Sequence, residues 1–134
     1  MKLPELKIGD LTAKIPVIQG GMGIGISLNR LAGTVAAEGG IGILSTAQIG
    51  FQEENFQRAS VRTNLQTIKK QLDKARSFAK GGILGFNVMV ASFRYDDVVR
   101  ATVEAGADVI ISGAGLPMNL PDLVGDAKTK IAPI

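Results

Sequence analysis

Four short stretches of this sequence combine small or amide-bearing residues with the ends of apolar runs. They are residues 20–23 (GGMG), residues 45–47 (STA), Asn87 with the turn that follows it, and residues 112–115 (SGAG). Small residues leave room for a flat ligand, and their backbone N–H groups remain within its reach. If the apolar runs are parallel strands, all four stretches lie at the edge where such sheets bind ligands.

The first stretch belongs to a loop in which four of six residues, 20–25, are glycine. A tight turn with close packing and a loop that lets a ligand approach the backbone both explain such a cluster. The dinucleotide fingerprint G-x-G-x-x-G is not satisfied, because Gly21 and Gly23 place its third position at Ile26. No acidic residue ends the following strand and there is no Walker A sequence, so a Rossmann-type NAD site is disfavoured.

Asn87 lies inside an otherwise apolar run, ILGFNVMV. An amide in a buried strand needs hydrogen-bond partners. Two roles remain open for it: bonding to neighbouring backbone or holding a polar ligand edge. Asp96 and Asp97 could form a carboxylate pair, but their position favours a helix N-cap.

The composition excludes several kinds of chemistry. The chain has no cysteine and no histidine, which removes disulfides, thiolate or imidazole metal sites, and Ser-His or Cys-His catalysis. We therefore expect no metal ion. The net charge of +3 derives largely from residues 69–80, which have the pattern of a solvated helix face, so we expect no nucleic-acid partner. There is no membrane-length apolar run and no signal-peptide pattern, so a cytoplasmic location is expected.

Apolar runs and glycine punctuation divide the chain into alternating elements. A hairpin is predicted around Gly9 and Asp10. The predicted strands cover residues 17–19, 41–45, 83–90 and 108–112, with a further strand starting near residue 130. The first predicted helix begins at a cap on Ser27 or Asn29 and ends at residue 38. Two further helices are predicted over residues 61–80 and 96–105, and residues 119–124 are predicted to form one or two helical turns.

Strands that are apolar without alternation, separated by helices, indicate a parallel sheet covered by helices. Two architectures fit this order: a doubly wound open sheet and part of a (β/α)8 barrel. A full barrel needs about 250 residues. This chain has 134 residues and ends in an apolar run, so residues 1–134 are predicted to form one incomplete domain.

Taken in order, four motifs resemble the nitronate monooxygenase family, formerly called 2-nitropropane dioxygenases, which includes the flavin-dependent enoyl-ACP reductases. The motifs are PVIQGGMG, LAGTVAAEGGIGILS, GFNVMV and GADVIISGAGLP. The resemblance covers nearly all of this chain and about the first half of the family's length. It implies an α/β fold, the N-terminal half of a (β/α)8 TIM barrel preceded by a short β-hairpin, with FMN at the C-terminal face.

The resemblance also implies which residues bind the cofactor. Gly21, Met22 and Gly23 match the segment that lies against the flavin ring, where backbone N–H groups reach the ring near N5 and O4. Asn87 matches the family asparagine that hydrogen-bonds the flavin. The end of the fourth strand, near flavin and substrate, is matched by Ser112, Gly113 and Gly115.

The family's histidine base lies on a later strand, beyond residue 134, so no catalytic residue is expected in this chain. The loops that grip the FMN phosphate also lie on later strands. Taken alone, the 134-residue chain is therefore expected to fold poorly or self-associate, as a homo-oligomer, and to bind FMN weakly or not at all.

The activity that the resemblance implies first is a nitronate monooxygenase, which oxidises alkyl nitronates with O2. The alternative is an NAD(P)H-dependent reductase that acts on an enoyl thioester. Two further hypotheses remain for the function of this chain: an inactive barrel fragment, and another phosphate-binding barrel.

Overall fold

The computed structural model describes residues 3–134. It begins with an antiparallel hairpin formed by β1 (Leu6–Ile8) and β2 (Leu11–Ala13). Gly9 occupies the turn with a left-handed φ of 60°, which explains the glycine at this position. The predicted hairpin is confirmed.

The body of the chain is a parallel four-stranded sheet with strand order β3-β4-β5-β6. Its strands are β3 (Ile41–Ser45), β4 (Ile83–Met89), β5 (Val109–Gly113) and β6 (Lys130–Pro133). The intervening helices are α1 (Asn29–Ala37), α2 (Ser60–Arg76), α3 (Tyr95–Ala105) and α4 (Leu120–Val124). Neighbours in this sheet are neighbours in sequence, without the reversal of order that a doubly wound sheet contains. The mixed α/β class is confirmed.

The predicted first strand, residues 17–19, forms a single parallel bridge between Ile18 and Ile41 instead of a full strand. The Gln19 N–H donates to the Ile41 carbonyl at 3.0 Å, and the Ile41 N–H donates to the Val17 carbonyl at 2.9 Å. The next N–H of β3, that of Ile43, donates to the side-chain oxygen of Gln19 at 3.0 Å. The side chain of Gln19 therefore takes the place of a main-chain acceptor for β3. Regular strand pairing ends there, although residues 17–19 still lie beside β3.

The sheet has two faces with different covers. The helix face carries Leu44, Leu84, Phe86, Val88 and Ile110, which are buried against α1, α2 and α3. Complete burial of such side chains stabilises the fold by about 1.5–3 kcal/mol each. The packed helix face thereby supports the loops at the carboxyl ends of the strands.

The opposite face, called here the inner face, carries Ile41, Ile43 and Val109. The hairpin covers these residues at the amino ends of the strands, with Ala13 buried among them. The carboxyl ends of the same strands are not covered by the hairpin. Residues that follow the inner face toward those ends therefore reach an open edge.

The helix starts differ from the sequence predictions. The N-cap of α1 is Leu28, with no side-chain capping bond, so neither Ser27 nor Asn29 is the cap. The Ser27 hydroxyl is used within the preceding loop, and the Asn29 side chain bonds to Gln71 of α2. These tertiary partners replace the local capping bond.

The predicted caps of α3 are also wrong. Asp96 and Asp97 lie within its first turn, where carboxylates favour the positive helix end. The N-cap residue is Arg94, in a left-handed conformation with φ of 63°. The ends of one helix and one strand also differ from the predictions. α2 ends at Arg76 rather than at residue 80, and β4 ends at Met89 rather than at residue 90. No helix in residues 3–134 is both long and apolar enough to cross a membrane.

Candidate functional site

The predicted cofactor residues lie around the carboxyl ends of residues 17–19, β4 and β5. The glycine loop, residues 20–26, leads from the bridge beside β3 toward α1 and crosses the inner face. There the Asn87 side chain donates from Nδ2 to the Gly21 carbonyl oxygen at 3.0 Å. The structure thus joins two residues that are 66 positions apart in sequence.

Gly21 is required by packing. A Cβ atom at this position would lie 2.4 Å from the Asn87 Cβ and 3.1 Å from Cγ2 of Ile43. No side chain fits between the loop and the sheet at these distances. The tight-turn explanation therefore holds for Gly21, because a protein side chain occupies the space that the glycine leaves.

The Asn87 backbone lies between two neighbouring strands of the sheet. Its register partners are Ser45 on β3 and Ile111 on β5, which places it on the inner face. The Asn87 carbonyl oxygen accepts hydrogen bonds from the Thr46 N–H at 3.2 Å and from the Thr46 hydroxyl at 2.9 Å. The side chain therefore projects from an immobilised backbone.

Only the nitrogen of the Asn87 side-chain amide forms a hydrogen bond with residues 3–134. Nδ2 bonds to Gly21, whereas Oδ1 accepts no hydrogen bond from residues 3–134. No fully buried side-chain polar atom in that part of the chain lacks a partner, so Oδ1 is at least partly accessible to solvent. The amide satisfies neighbouring backbone with its nitrogen and presents an acceptor at the open edge with its oxygen.

The glycine loop supplies donors at the same edge. The N–H groups of Gly21 and Gly23 form no hydrogen bond within residues 3–134. Gly23 has a left-handed φ of 57°, which turns the backbone here. Met22 is 62% exposed beside them. Open backbone N–H groups, an exposed thioether and the Asn87 acceptor together suit the polar edge of a flat heterocycle.

Ser27 and Gln19 hold this loop in shape, and the sequence reasoning assigned neither of them to the site. The Ser27 hydroxyl accepts from the Met22 N–H at 2.8 Å and from the Gln19 amide at 2.9 Å, and donates to the Gly20 carbonyl at 3.1 Å. Ser27 is fully buried. The signal that could have found them is an amide and a hydroxyl at the two ends of a glycine run.

The three residues predicted at the end of β5 are placed differently from one another. Gly113 pairs in register with Met89, and its carbonyl accepts from the Val90 N–H at 2.8 Å. Gly115 follows with φ of 143°, and a Cβ there would lie 2.9 Å from the Val90 side chain. Both glycines therefore lie beside the end of β4, close to the strand that carries Asn87.

The Ser112 side chain lies on the helix face of the sheet, opposite to the side chain of Asn87. Ser112 pairs with Val88 on the helix face, is fully buried, and its hydroxyl lies 2.8 Å from the Tyr95 hydroxyl. Its side chain is therefore part of the packing between β5 and α3. Only its backbone belongs to the edge at which Asn87 and Gly21 meet.

Electrostatically the site is plain: its residues are uncharged. A resolved pKa perturbation occurs at the far end of the sheet, in the hairpin. There Lys130 forms an ion pair of 2.7 Å with Asp10 and holds the pKa of that carboxyl below its ordinary value of 3.8. The candidate site thus offers hydrogen-bonding groups and close backbone contact.

Comparison with known proteins identifies structural relatives. The chain is similar to the structure of FabK from Thermotoga maritima, with a TM-score of 0.67 and 24% sequence identity, over 88% of this chain and 33% of that one. A point mutant of the same FabK gives a TM-score of 0.69 at 24% identity, over 88% and 34% of the two chains. No protein-family model and no curated protein matches the sequence.

At this identity the likeness concerns the fold. The chain spans about a third of the length of the FabK structures it resembles. The expected half barrel is therefore not established by the parallel sheet alone. The similarity does show that this order of strands and helices occurs within a longer folded chain.

Proposed function

We propose that this chain forms part of an FMN-dependent oxidoreductase of the enoyl-ACP reductase type, and that its strands belong to a (β/α)8 barrel. The observation that carries the proposal is the meeting of Asn87 with Gly21 at the open edge of a sheet whose fold resembles FabK. FabK is a flavin-dependent enoyl-ACP reductase. The reductase reading is accordingly better supported than the nitronate monooxygenase, which stays a prediction.

The residues present fit the ring of FMN. The N–H groups of Gly21 and Gly23 would donate to its polar edge, and the Asn87 Oδ1 would accept from it. Met22 offers an apolar contact, and the Gly113 and Gly115 backbone leaves room beside the end of β4. The FMN phosphate would be held by later strands, as the resemblance implies.

When bound, FMN supplies the hydride-transfer chemistry between NAD(P)H and an enoyl thioester. The share of this chain is to bind and orient the ring. Because Thr46 fixes the backbone of Asn87, and Ser27 fixes the glycine loop, the donor and acceptor positions are set before the ligand arrives. Such preorganisation lowers the cost of binding.

The experiment is an anaerobic flavin titration of the purified native protein. We expect flavin absorption that NAD(P)H bleaches and that an enoyl thioester restores. Bleaching by an alkyl nitronate, with no response to NAD(P)H, would support the monooxygenase instead. A protein that carries no flavin and takes up none from added FMN would refute both and leave the non-catalytic reading.

A further inference from the structure

A separate cleft of about 470 Å³ opens between the N-terminal halves of α2 and α3. Most of its apolar lining comes from α2, from the end of β4 and the turn after it, and from α3. The main apolar side chains there are Val61, Leu65, Ile68, Met89, Phe93 and Val98. Small-molecule sites have volumes of about 300–1,000 Å³, and the cleft falls within that range.

None of the seven predicted cofactor residues lines the cleft. It is nevertheless close to the candidate site, because Ile24 of the glycine loop and Thr46, which bonds to Asn87, both reach its wall. The cleft is therefore a neighbour of the proposed flavin edge and not the same place.

Two large apolar side chains remain in water at its mouth. Phe93 is 79% exposed and Met89 is 43% exposed, whereas Ile68 at the base is buried. Removing apolar surface from water is favourable, so a ligand that covered both side chains would gain affinity. Neither side chain belongs to the buried core, so both are accessible to a ligand.

The polar groups of the cleft are uncharged or already paired. Asn64 Oδ1 accepts from the Gly50 N–H at 2.8 Å, which leaves its Nδ2 group available at the wall as a donor. Arg94 carries the only charge among the described lining residues, and it is paired with Asp97. A charged ligand would have to be desolvated here without a free counter-charge, which is costly.

We propose that this cleft binds a neutral, mostly apolar small molecule, such as a planar aromatic compound, with an acceptor that receives a hydrogen bond from Asn64. The proposal rests on the shape and chemistry of the cleft and does not depend on the proposed flavin reaction. Binding here would place a neutral ligand beside the glycine loop, against Ile24.

The test is a titration of the ¹⁵N-labelled native protein with indole, followed by two-dimensional NMR. We expect saturable shifts at the amides of Asn64, Leu65 and Phe93. The variant Phe93→Ala should weaken indole binding at least about fivefold, because it removes an apolar wall. Leu116→Ala is the matched control: it is 81% exposed, does not line the cleft and should leave the affinity unchanged. Both side chains are exposed, so neither substitution should unfold the protein.

Three results would overturn the proposal. The first is the absence of saturable shifts at the cleft residues, and the second is an equal loss of affinity in both variants. The third is tighter binding of the indole-3-acetate anion than of indole, which would contradict the requirement for a neutral ligand. Competition with FMN separates the two sites: we expect bound indole to survive added FMN, whereas its displacement would make the cleft part of the flavin site and end the proposal.

Discussion

The Ser27 hydroxyl is predicted to be the main support of the glycine loop, and Ser27→Ala tests this directly. The substitution removes one acceptor from the Met22 N–H, one acceptor from the Gln19 amide, and one donor from the Gly20 carbonyl. Each net hydrogen bond is worth about 0.5–1.5 kcal/mol. Because Met22 and Gly20 are exposed, water replaces part of this, and we expect the free energy of unfolding to fall by about 1.5–3 kcal/mol.

The control is Ser77→Ala. The Ser77 hydroxyl makes one exposed hydrogen bond of 2.7 Å to the Lys74 carbonyl, so its loss should cost about 0.5 kcal/mol or less. Urea denaturation followed by circular dichroism gives both free energies. Amide hydrogen exchange then locates the effect, because the Met22 N–H loses its partner only in Ser27→Ala and should exchange at least about tenfold faster.

Equal destabilisation by the two serine variants would refute the reasoning. So would unchanged exchange of the Met22 amide, since the loop would then keep its shape without the hydroxyl. A double-mutant cycle with Gln19→Met adds a further check: the two residues share a hydrogen bond of 2.9 Å, and their coupling energy should be at least about 0.5 kcal/mol.

Three other predictions concern packing and charge. Gly21→Ala should destabilise the protein by about 1–3 kcal/mol, because its Cβ meets a side chain at 2.4 Å, whereas Gly20→Ala, whose nearest contact is a methionine sulfur at 3.6 Å, should be nearly neutral in urea denaturation. Phe86→Ala empties a fully buried position of the helix face and should cost about 3–5 kcal/mol; a loss below about 1 kcal/mol would mean that this layer is not packed as described. The Asp10 carboxyl has a folded pKa below 3.8 because of Lys130, so the pair stabilises the fold above that value and the contribution disappears as the pH falls through the lowered pKa. Because Asp10 is largely exposed, Asp10→Asn should lower Tm only slightly, and more at about pH 7 than well below pH 3.8; an equal difference at both would contradict the assignment.

The strands and helices could be predicted because apolar runs, helical spacing and glycines agreed with one another. β3 matched its predicted residues, 41–45, and β4 and α3 shifted by only one residue at an end. The consecutive strand order could not be read from the sequence, which left the doubly wound sheet open. Order depends on which strand edges pair, and apolar runs of this kind carry no such signal.

The site was harder to predict than the fold. The motif order led to Asn87 and Gly21, but the direct bond between them depends on the loop crossing the inner face. The orientation of Ser112 could not be predicted from the sequence. In an apolar strand without alternation, only the pairing register shows on which face of the sheet a side chain lies. The role of Ser27 could not be predicted either, because a hydroxyl before a helix suits a cap as well as a loop contact, and the tertiary partners decide.

The central claim is that an FMN ring binds at the edge formed by Asn87 and the glycine loop. The most direct measurement is a native mass spectrum of the native protein from its own cells, in which the later strands of the proposed barrel would hold the FMN phosphate, taken beside the variants Asn87→Leu and Asn119→Leu. Asn119 is exposed and bonds to Asp96, away from the glycine loop, so it controls for loss of an amide. We predict the added mass of FMN on the wild type and on Asn119→Leu, and its loss or marked depletion on Asn87→Leu. A wild-type protein without FMN, or an Asn87→Leu variant that retains it fully, would contradict the claim.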